Sequence, residues 1–442
     1  MVARPLRWFL TAWLMVLVIG VVATEAADVY LSISRGGGQR LRIAIPDFER
    51  VEGGSAVEAE LGQMMAKTLA NDLRVYRFFE LIENPRFLRE ALQADAQAGD
   101  IAFKGWMEIG AQALVKGTYS HDARDLIVEC RLYDVSGERM ITGKRYRGPA
   151  DAAASIVHRC ADEIMVRFTG EPGIAQTKIA FLSLQNGNKE LFVMDQEGVN
   201  IRQLTRDRSI VLSPAWSPDG KELAITTYRD RNPDLFAVSL NGVGRRPLSQ
   251  QPGINSAPMW SPDGSRLAFV MSKDGNPEIY TMNRHGMDLR RVTNHPAIDT
   301  SPAWSPTGRQ IAFVSGRAGS PQVYIMDAEG SNVRRLTYQG NYNASPSWSP
   351  RGDRIAFASL EGGRFDVYVI NVDGNGLSRL TMGNGSNENP SWSPDGRFLV
   401  FSSTRSGVAQ LYRMYDDGSG QHQLTSLQGG ALSPVWSPRI VE

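Results

Sequence analysis

From about residue 174 onward, apolar and polar positions follow one beat. Short apolar runs stand 44 residues apart: Leu223-Ala224-Ile225, Leu267-Ala268-Phe269, Ile311-Ala312-Phe313, Ile355-Ala356-Phe357 and Leu399-Val400-Phe401. Each is followed by an aromatic position (Phe236, Tyr280, Tyr324, Tyr368, Tyr412) and then by Leu-Thr or a close variant, such as Leu336-Thr337 or Leu424-Thr425. Turn formers separate them. In Ser217-Pro218-Asp219-Gly220 the proline presets one dihedral and the glycine tolerates positive φ. Apolar runs this short, bounded this way, predict strands, four per unit. A repeat of about 40–45 residues with four strands is the signature of a β-propeller blade.

Trp-Ser-Pro recurs at the same interval, at Trp216, Trp260, Trp304, Trp348, Trp392 and Trp436, with a proline two residues before every tryptophan. These indoles read as packing between blades, the dominant stabilising contribution, and carry no catalytic role. The segment from Ile179-Ala180-Phe181 to Leu204-Thr205 keeps the register but has no Trp-Ser-Pro of its own, whereas almost nothing follows Trp436. The two fragments complement each other. An all-β six-bladed propeller over 174–442 is therefore expected, closed by the C-terminal strand, which leaves no free sheet edge. No blade carries an insertion.

Residues 27–170 lack the repeat and read as an α/β N-terminal domain. Asp28 to Ile33 alternates as an extended segment, and Gly36-Gly37-Gly38 follows as a hinge. Leu41 to Ile45 predicts a strand stopped by Pro46, and Val57 to about Leu81 a helix. Strands are expected over Leu114–Tyr119, Asp125–Asp134 and Met140–Tyr146, the last two forming a hairpin at Ser136-Gly137. A second helix is expected over Ala150–Phe168, with a linker at Gly170–Gly173. Residues 1–26 read as a secretory signal peptide: Arg4 and Arg7, an apolar run from Trp8 to Ala23, then Ala26 and Ala27. The run is shorter than the about 20 residues of a spanning helix. A soluble, exported mature chain starting near Ala27 or Asp28 is expected, with periplasmic localisation. No cysteine stands at the exit for lipid attachment.

The formal net charge is +1, from 48 basic and 47 acidic residues, without a block of one sign, which argues against nucleic acid. Cys130 and Cys160 lie on apolar faces of a strand and a helix; buried thiols and a disulfide are both open. Chemistry is thin. Gly-x-Ser-x-Gly, a Walker loop and His-Glu-x-x-His are all missing, and the five histidines are scattered, each read as a surface or turn residue. What varies between blades is the stretch before each inner strand: Ile254-Asn255-Ser256-Ala257, Ile298-Asp299-Thr300-Ser301, Tyr342-Asn343-Ala344-Ser345 and Ser386-Asn387-Glu388-Asn389. In a propeller these converge on one mouth of the channel, where Asn, Ser and Thr can hydrogen-bond a protein or peptide. No cofactor is expected. A Ca²⁺ site from Asp299 and Glu388 is the weak alternative.

The signal peptide, the alternating Asp28-to-Ile33 segment, the opening Ile43-Ala44-Ile45-Pro46-Asp47-Phe48 and the Trp-Ser-Pro-Asp-Gly repeats together resemble the TolB family, periplasmic propellers of the Tol–Pal cell-envelope system. The resemblance runs from the start of the chain to Trp436. It implies a non-enzymatic adaptor linking inner-membrane TolA to the outer-membrane lipoprotein Pal, serving outer-membrane integrity and constriction at cell division. By position, Asp28, Val29, Tyr30, Leu31, Ser32 and Ile33 would meet TolA. Asn255, Ser256, Ala257, Asp299, Thr300, Ser301 and Asn343 would meet Pal. Ile254 stands where a polar residue is expected. Two other readings have stated requirements. A metal-dependent lactonase or lyase needs channel-lining carboxylates, and a carbohydrate-binding envelope protein needs exposed aromatic platforms, for which Tyr342 is the one candidate.

Overall fold

The computed structural model describes residues 40–440 apart from 52–55, 123, 186, 242–243 and 384. Asp28 to Ile33 lies outside the described residues. Six four-stranded antiparallel sheets form the propeller. Five blades are continuous; the first runs Val211–Trp216, Glu222–Thr227, Asp234–Ser239 and Arg245–Ser249. In the sixth, Leu432–Trp436 supplies the inner strand and pairs with Lys178–Gln185, with Val435 opposite Ala180 and Trp436 opposite Ile179. Asn188–Asp195 and Arg202–Gln203 complete that blade. The expected closure is what the chain forms.

The proline before each Trp-Ser-Pro has a local reason. Every inner strand slips register just there, for example between Leu212 and Ala215. A bulge needs no ladder N–H at that residue, so proline is tolerated. The residue before it is left-handed in all six blades: Ser213, Ala257, Ser301, Ser345, Asn389 and Ser433, with φ between 48° and 53°. The indoles then join neighbours. Trp216 Nε1 donates to Val435 O, Trp304 to Met259 O and Trp392 to Ser347 O, each at 3.1 Å and each into the preceding blade.

The N-terminal sheet has the order β3-β1-β4-β5-β6, from β1 (Leu41–Ala44), β3 (Phe79–Ile82), β4 (Ala113–Asp122), β5 (Asp125–Asp134) and β6 (Arg139–Pro149); β2 (Glu49–Arg50) also pairs with β4. Helices α1 (Ala56–Arg74) and α4 (Ala153–Thr169) pack together against one apolar core. Helices α2 (Pro85–Ala98) and α3 (Phe103–Glu108) bury Ala91 and Trp106 in another. The helix expected to reach Leu81 therefore stops at Arg74. Phe79–Ile82 is claimed by a parallel pairing with β1, Leu41 against Phe79 through Ala44 against Ile82, which buries Phe79 and Ile82.

Gly170–Gly173 is a fixed junction. Gly170 caps α4 at φ 77°, Ile174 N donates to Tyr76 Oη (2.9 Å) and Arg439 donates to Pro172 O and Gly173 O. The core beneath α1 and α4 runs on without a break into propeller residues Ile179, Phe398, Leu411 and Trp436. Arg77 grips Asp417 at 2.7 and 2.6 Å, and Tyr415 Oη donates to Val75 O. Turn 416–419 belongs to the end of the disc away from the pre-strand loops, so the described residues of the N-terminal domain leave the mouth uncovered.

His158 is not a surface or turn residue. It lies on α4 and its Nδ1 stands 2.7 Å from the buried Asp72 carboxylate. Cys130 and Cys160 are both buried, free thiols in the shared core.

Candidate partner-binding face

The channel mouth is built on the first residues of the inner strands. Asn255, Asp299 and Asn343, expected at a partner contact, are fully buried there. Most of their polar atoms are committed inside the blade, while Asp299 Oδ1 and Asn343 Oδ1 have no hydrogen-bond partner among the described residues. Asn343 Nδ2 donates to Gln322 Oε1 (2.8 Å), which also accepts from Thr337 Oγ1 (2.9 Å), and Thr337 in turn accepts from Val323 N. Asn255 accepts from Ser249 Oγ and donates to Gln251 O. Asp299 pairs with Arg317 at 2.8 Å, while burial raises its carboxyl above the ordinary range. Buried polar groups must be satisfied in this way. The Thr of the recurring Leu-Thr is the other half of that network, which explains why the pair repeats. These three residues hold up the rim and do not present themselves on it.

Ser256, Ala257, Thr300 and Ser301 are half-buried on the inner strands, and Ala257 and Ser301 line the channel. A cavity of about 170 Å³ sits below them, ringed by the six left-handed residues and their prolines. Asn389 Nδ2 donates to Ser345 Oγ across adjacent blades at 3.0 Å. Glu388 is half-buried and its carboxyl is raised by burial alone. Among the described residues no group of three or more His, Cys, Asp or Glu converges in a way that could hold a metal ion.

The rim has a feature the sequence reading did not assemble. Immediately before four consecutive inner strands stand Ile210, Ile254, Ile298 and Tyr342, exposed by 46, 39, 54 and 40 %. They occupy one repeat position, so they form an apolar crescent over four blades. Ser386 and Gly430 break it at the other two. Each crescent carbonyl is pinned by an amide at or just past the end of the second strand: Tyr228 N to Ile210 O, Ser272 N to Ile254 O, Gly316 N to Ile298 O and Leu360 N to Tyr342 O. Tyr342 is further set edge-on against Phe365. The unexpected apolar character of Ile254 is thus shared by its counterparts. The 44-residue spacing was the available signal.

Against known proteins, the family described as "TolB beta propeller domain" matches residues 165–440. The chain belongs to the TolB family. The description "TolB amino-terminal domain" matches residues 29–141. Among curated relatives, "Tol-Pal system protein TolB" of Desulfosudis oleivorans is 41% identical over 201 residues, 45% of either chain. The protein of the same name from Geobacter sulfurreducens is 44% identical over 210 residues, 48% of either chain. This TolB-family chain thus matches about half the length of those relatives. The crystal structure of TolB from Acinetobacter baumannii is similar over 90% of this chain and 97% of that one, with a TM-score of 0.78 and 27% identity. As a family member the chain is built on a six-bladed propeller with an N-terminal α/β domain. Among the described residues no helix is long and apolar enough to cross a membrane.

Proposed function

We propose that this chain is a non-enzymatic periplasmic adaptor, with one protein-binding site at the channel mouth and a second in the N-terminal segment. The observation that supports it best is the mouth itself: an uninserted rim with an apolar crescent, left open because the N-terminal domain rests on the other end of the disc. Apolar patches rimmed by polar groups mark protein contacts in soluble proteins. A Pal-like outer-membrane lipoprotein would seat on Ser256, Ala257, Thr300 and Ser301 with the crescent beside them. Asp28 to Ile33 would engage a TolA-like inner-membrane protein. Such an adaptor would serve outer-membrane integrity and constriction at cell division, the roles that the resemblance to the TolB family implies.

Thr300→Arg tests the first site by calorimetric titration with the Pal-like lipoprotein. A guanidinium on the half-buried rim should weaken binding at least ten-fold, about 1.4 kcal/mol, with unaltered melting of the propeller. Unchanged affinity would refute the assigned face. Removing residues 28–33 should abolish the TolA-like contact and spare the mouth.

A further inference from the structure

At the end of the disc away from the mouth, three titratable side chains from three elements meet. Asp72 lies near the end of α1 with its carboxyl fully shielded from solvent. His158 of α4 presents Nδ1 to Asp72 Oδ2 at 2.7 Å. Glu197 belongs to the propeller, in the turn between Asn188–Asp195 and Arg202–Gln203, where Gly198 N donates to Asp195 O. The side chains of Asp72 and Glu197 lie close enough to shift each other's ionisation. Yet Asp72 Oδ1 and Glu197 Oε1 are both buried oxygens that receive nothing from any donor among the described residues. Ionised carboxylates only accept hydrogen bonds. Two of them in contact, out of water, need a proton between them.

The surroundings do not supply a substitute. Asp195 faces the cluster from the same turn and is held by Lys178 Nζ at 2.9 Å, so it adds repulsion on Asp72. Arg413, from strand Gln410–Tyr415, is the nearby cation, but its Nη1 donates to Gln196 Oε1 and burial lowers its own pKa. The Cys160 thiol, also on α4, is pushed up by burial and stays neutral beside Asp72.

We propose that Asp72 and Glu197 share a single proton and thereby form a proton-controlled latch that fastens the N-terminal domain to the propeller, with His158 positioning Asp72. This goes beyond the adaptor reading and does not depend on it. The titration fits. Burial first, then the Asp72 charge, raises Glu197 to about 7, and burial raises Asp72. Burial works to lower His158, but its hydrogen bond and attraction to Asp72 outweigh that and leave it raised. Glu197 freed from the cluster ionises near its ordinary 4.5, whereas docked it keeps its proton to about 7. Between those values the docked state binds more protons, so docking weakens as pH rises through that window. His158 acts in the same sense: its contribution is full below 6.5 and is lost as pH rises through its raised value.

Glu197→Gln tests this in the whole chain, because a carboxamide donates to Asp72 at every pH. Amide exchange of Asp195 and Gly198, which hold the turn, is compared between the two proteins at matched pH. Protection should be nearly equal at pH 5 and on the order of a hundred-fold lower in the wild type at pH 8, the change expected when the docked carboxyl keeps its proton to about 7 and the free one loses it near 4.5. Isotope-edited infrared spectroscopy should show a protonated carboxyl band in the wild type that fades near pH 7 and is missing in Glu197→Gln. A parallel pH profile for both proteins, or a wild type without the band at pH 5, would overturn the latch.

Discussion

Trp436 is the place where ring closure and domain docking depend on one side chain. It is 6 % exposed, lies over Phe398 with ring centroids 6.4 Å apart, and belongs to the core shared by α1, α4 and the propeller. Its Nε1 donates to Thr177 Oγ1 at 2.9 Å, across 259 residues of sequence. Trp348 occupies the same repeat position but is half-buried, and its Nε1 lacks a partner among the described residues. Truncating a buried tryptophan to alanine costs about 3–5 kcal/mol. Trp348→Ala should fall at the lower end. Trp436→Ala should fall at the upper end, because it also loses a hydrogen bond worth about 1 kcal/mol. The expected gap between the two is therefore about 1–2 kcal/mol. Urea denaturation of both variants measures it. Amide exchange of α1 and α4 should accelerate in Trp436→Ala and stay unchanged in Trp348→Ala. Equal costs, with α1 and α4 unaffected in both, would refute the continuous core.

Removing residues from Ser433 onward strips the inner strand from Lys178–Gln185 and should abolish cooperative unfolding by calorimetry; a wild-type transition would contradict the closure. Arg77→Ala should cost no more than about 1 kcal/mol, because the Arg77–Asp417 pair is half-exposed. The Arg77 hydrogen bond, against burial and with help from Ser419, holds the Asp417 carboxyl well below its usual range. Its contribution is thus present above the ordinary carboxylate value and lost as pH falls, so the variant should lose less stability than the wild type on acidification below about pH 4. Cys130 and Cys160 should resist iodoacetamide at pH 8 until urea is added, since both are buried and burial pushes the Cys160 thiol up; labelling of the native protein at the rate of a free cysteine would count against this.

The propeller was legible because its information is periodic. Trp-Ser-Pro, the apolar triplets and Leu-Thr repeat in one register, and the missing piece of the first unit matches the surplus at the last. The N-terminal domain had no such redundancy. Phe79–Ile82 continues the apolar pattern of α1, and only its long-range pairing with Leu41–Ala44 makes it a strand. Helix α2 was missed although Asn84 caps it, accepting from Arg86 N, with Pro85 in its first turn. At the mouth, composition pointed to the loops that begin the inner strands, but the side chains divided against expectation. The polar Asn255, Asp299 and Asn343 turn inward to satisfy the blade, and the apolar Ile210, Ile254 and Ile298 stay outside. Polarity alone does not reveal direction where a buried strand must be hydrogen-bonded. His158 was misjudged for a similar reason, because its partner Asp72 is 86 residues away in sequence.

The seam has a bearing on how the molecule is made. Ile179 and Trp436 are neighbours in space, yet a ribosome delivers them hundreds of residues apart. Until the second one emerges, the sheet of Lys178–Gln185 lacks its innermost strand and the helical layer lacks part of its floor. Assembly is therefore a late event, governed by a contact of high sequence separation and correspondingly slow. A nascent chain of this kind cannot close its ring until its last strand, Leu432–Trp436, has been made.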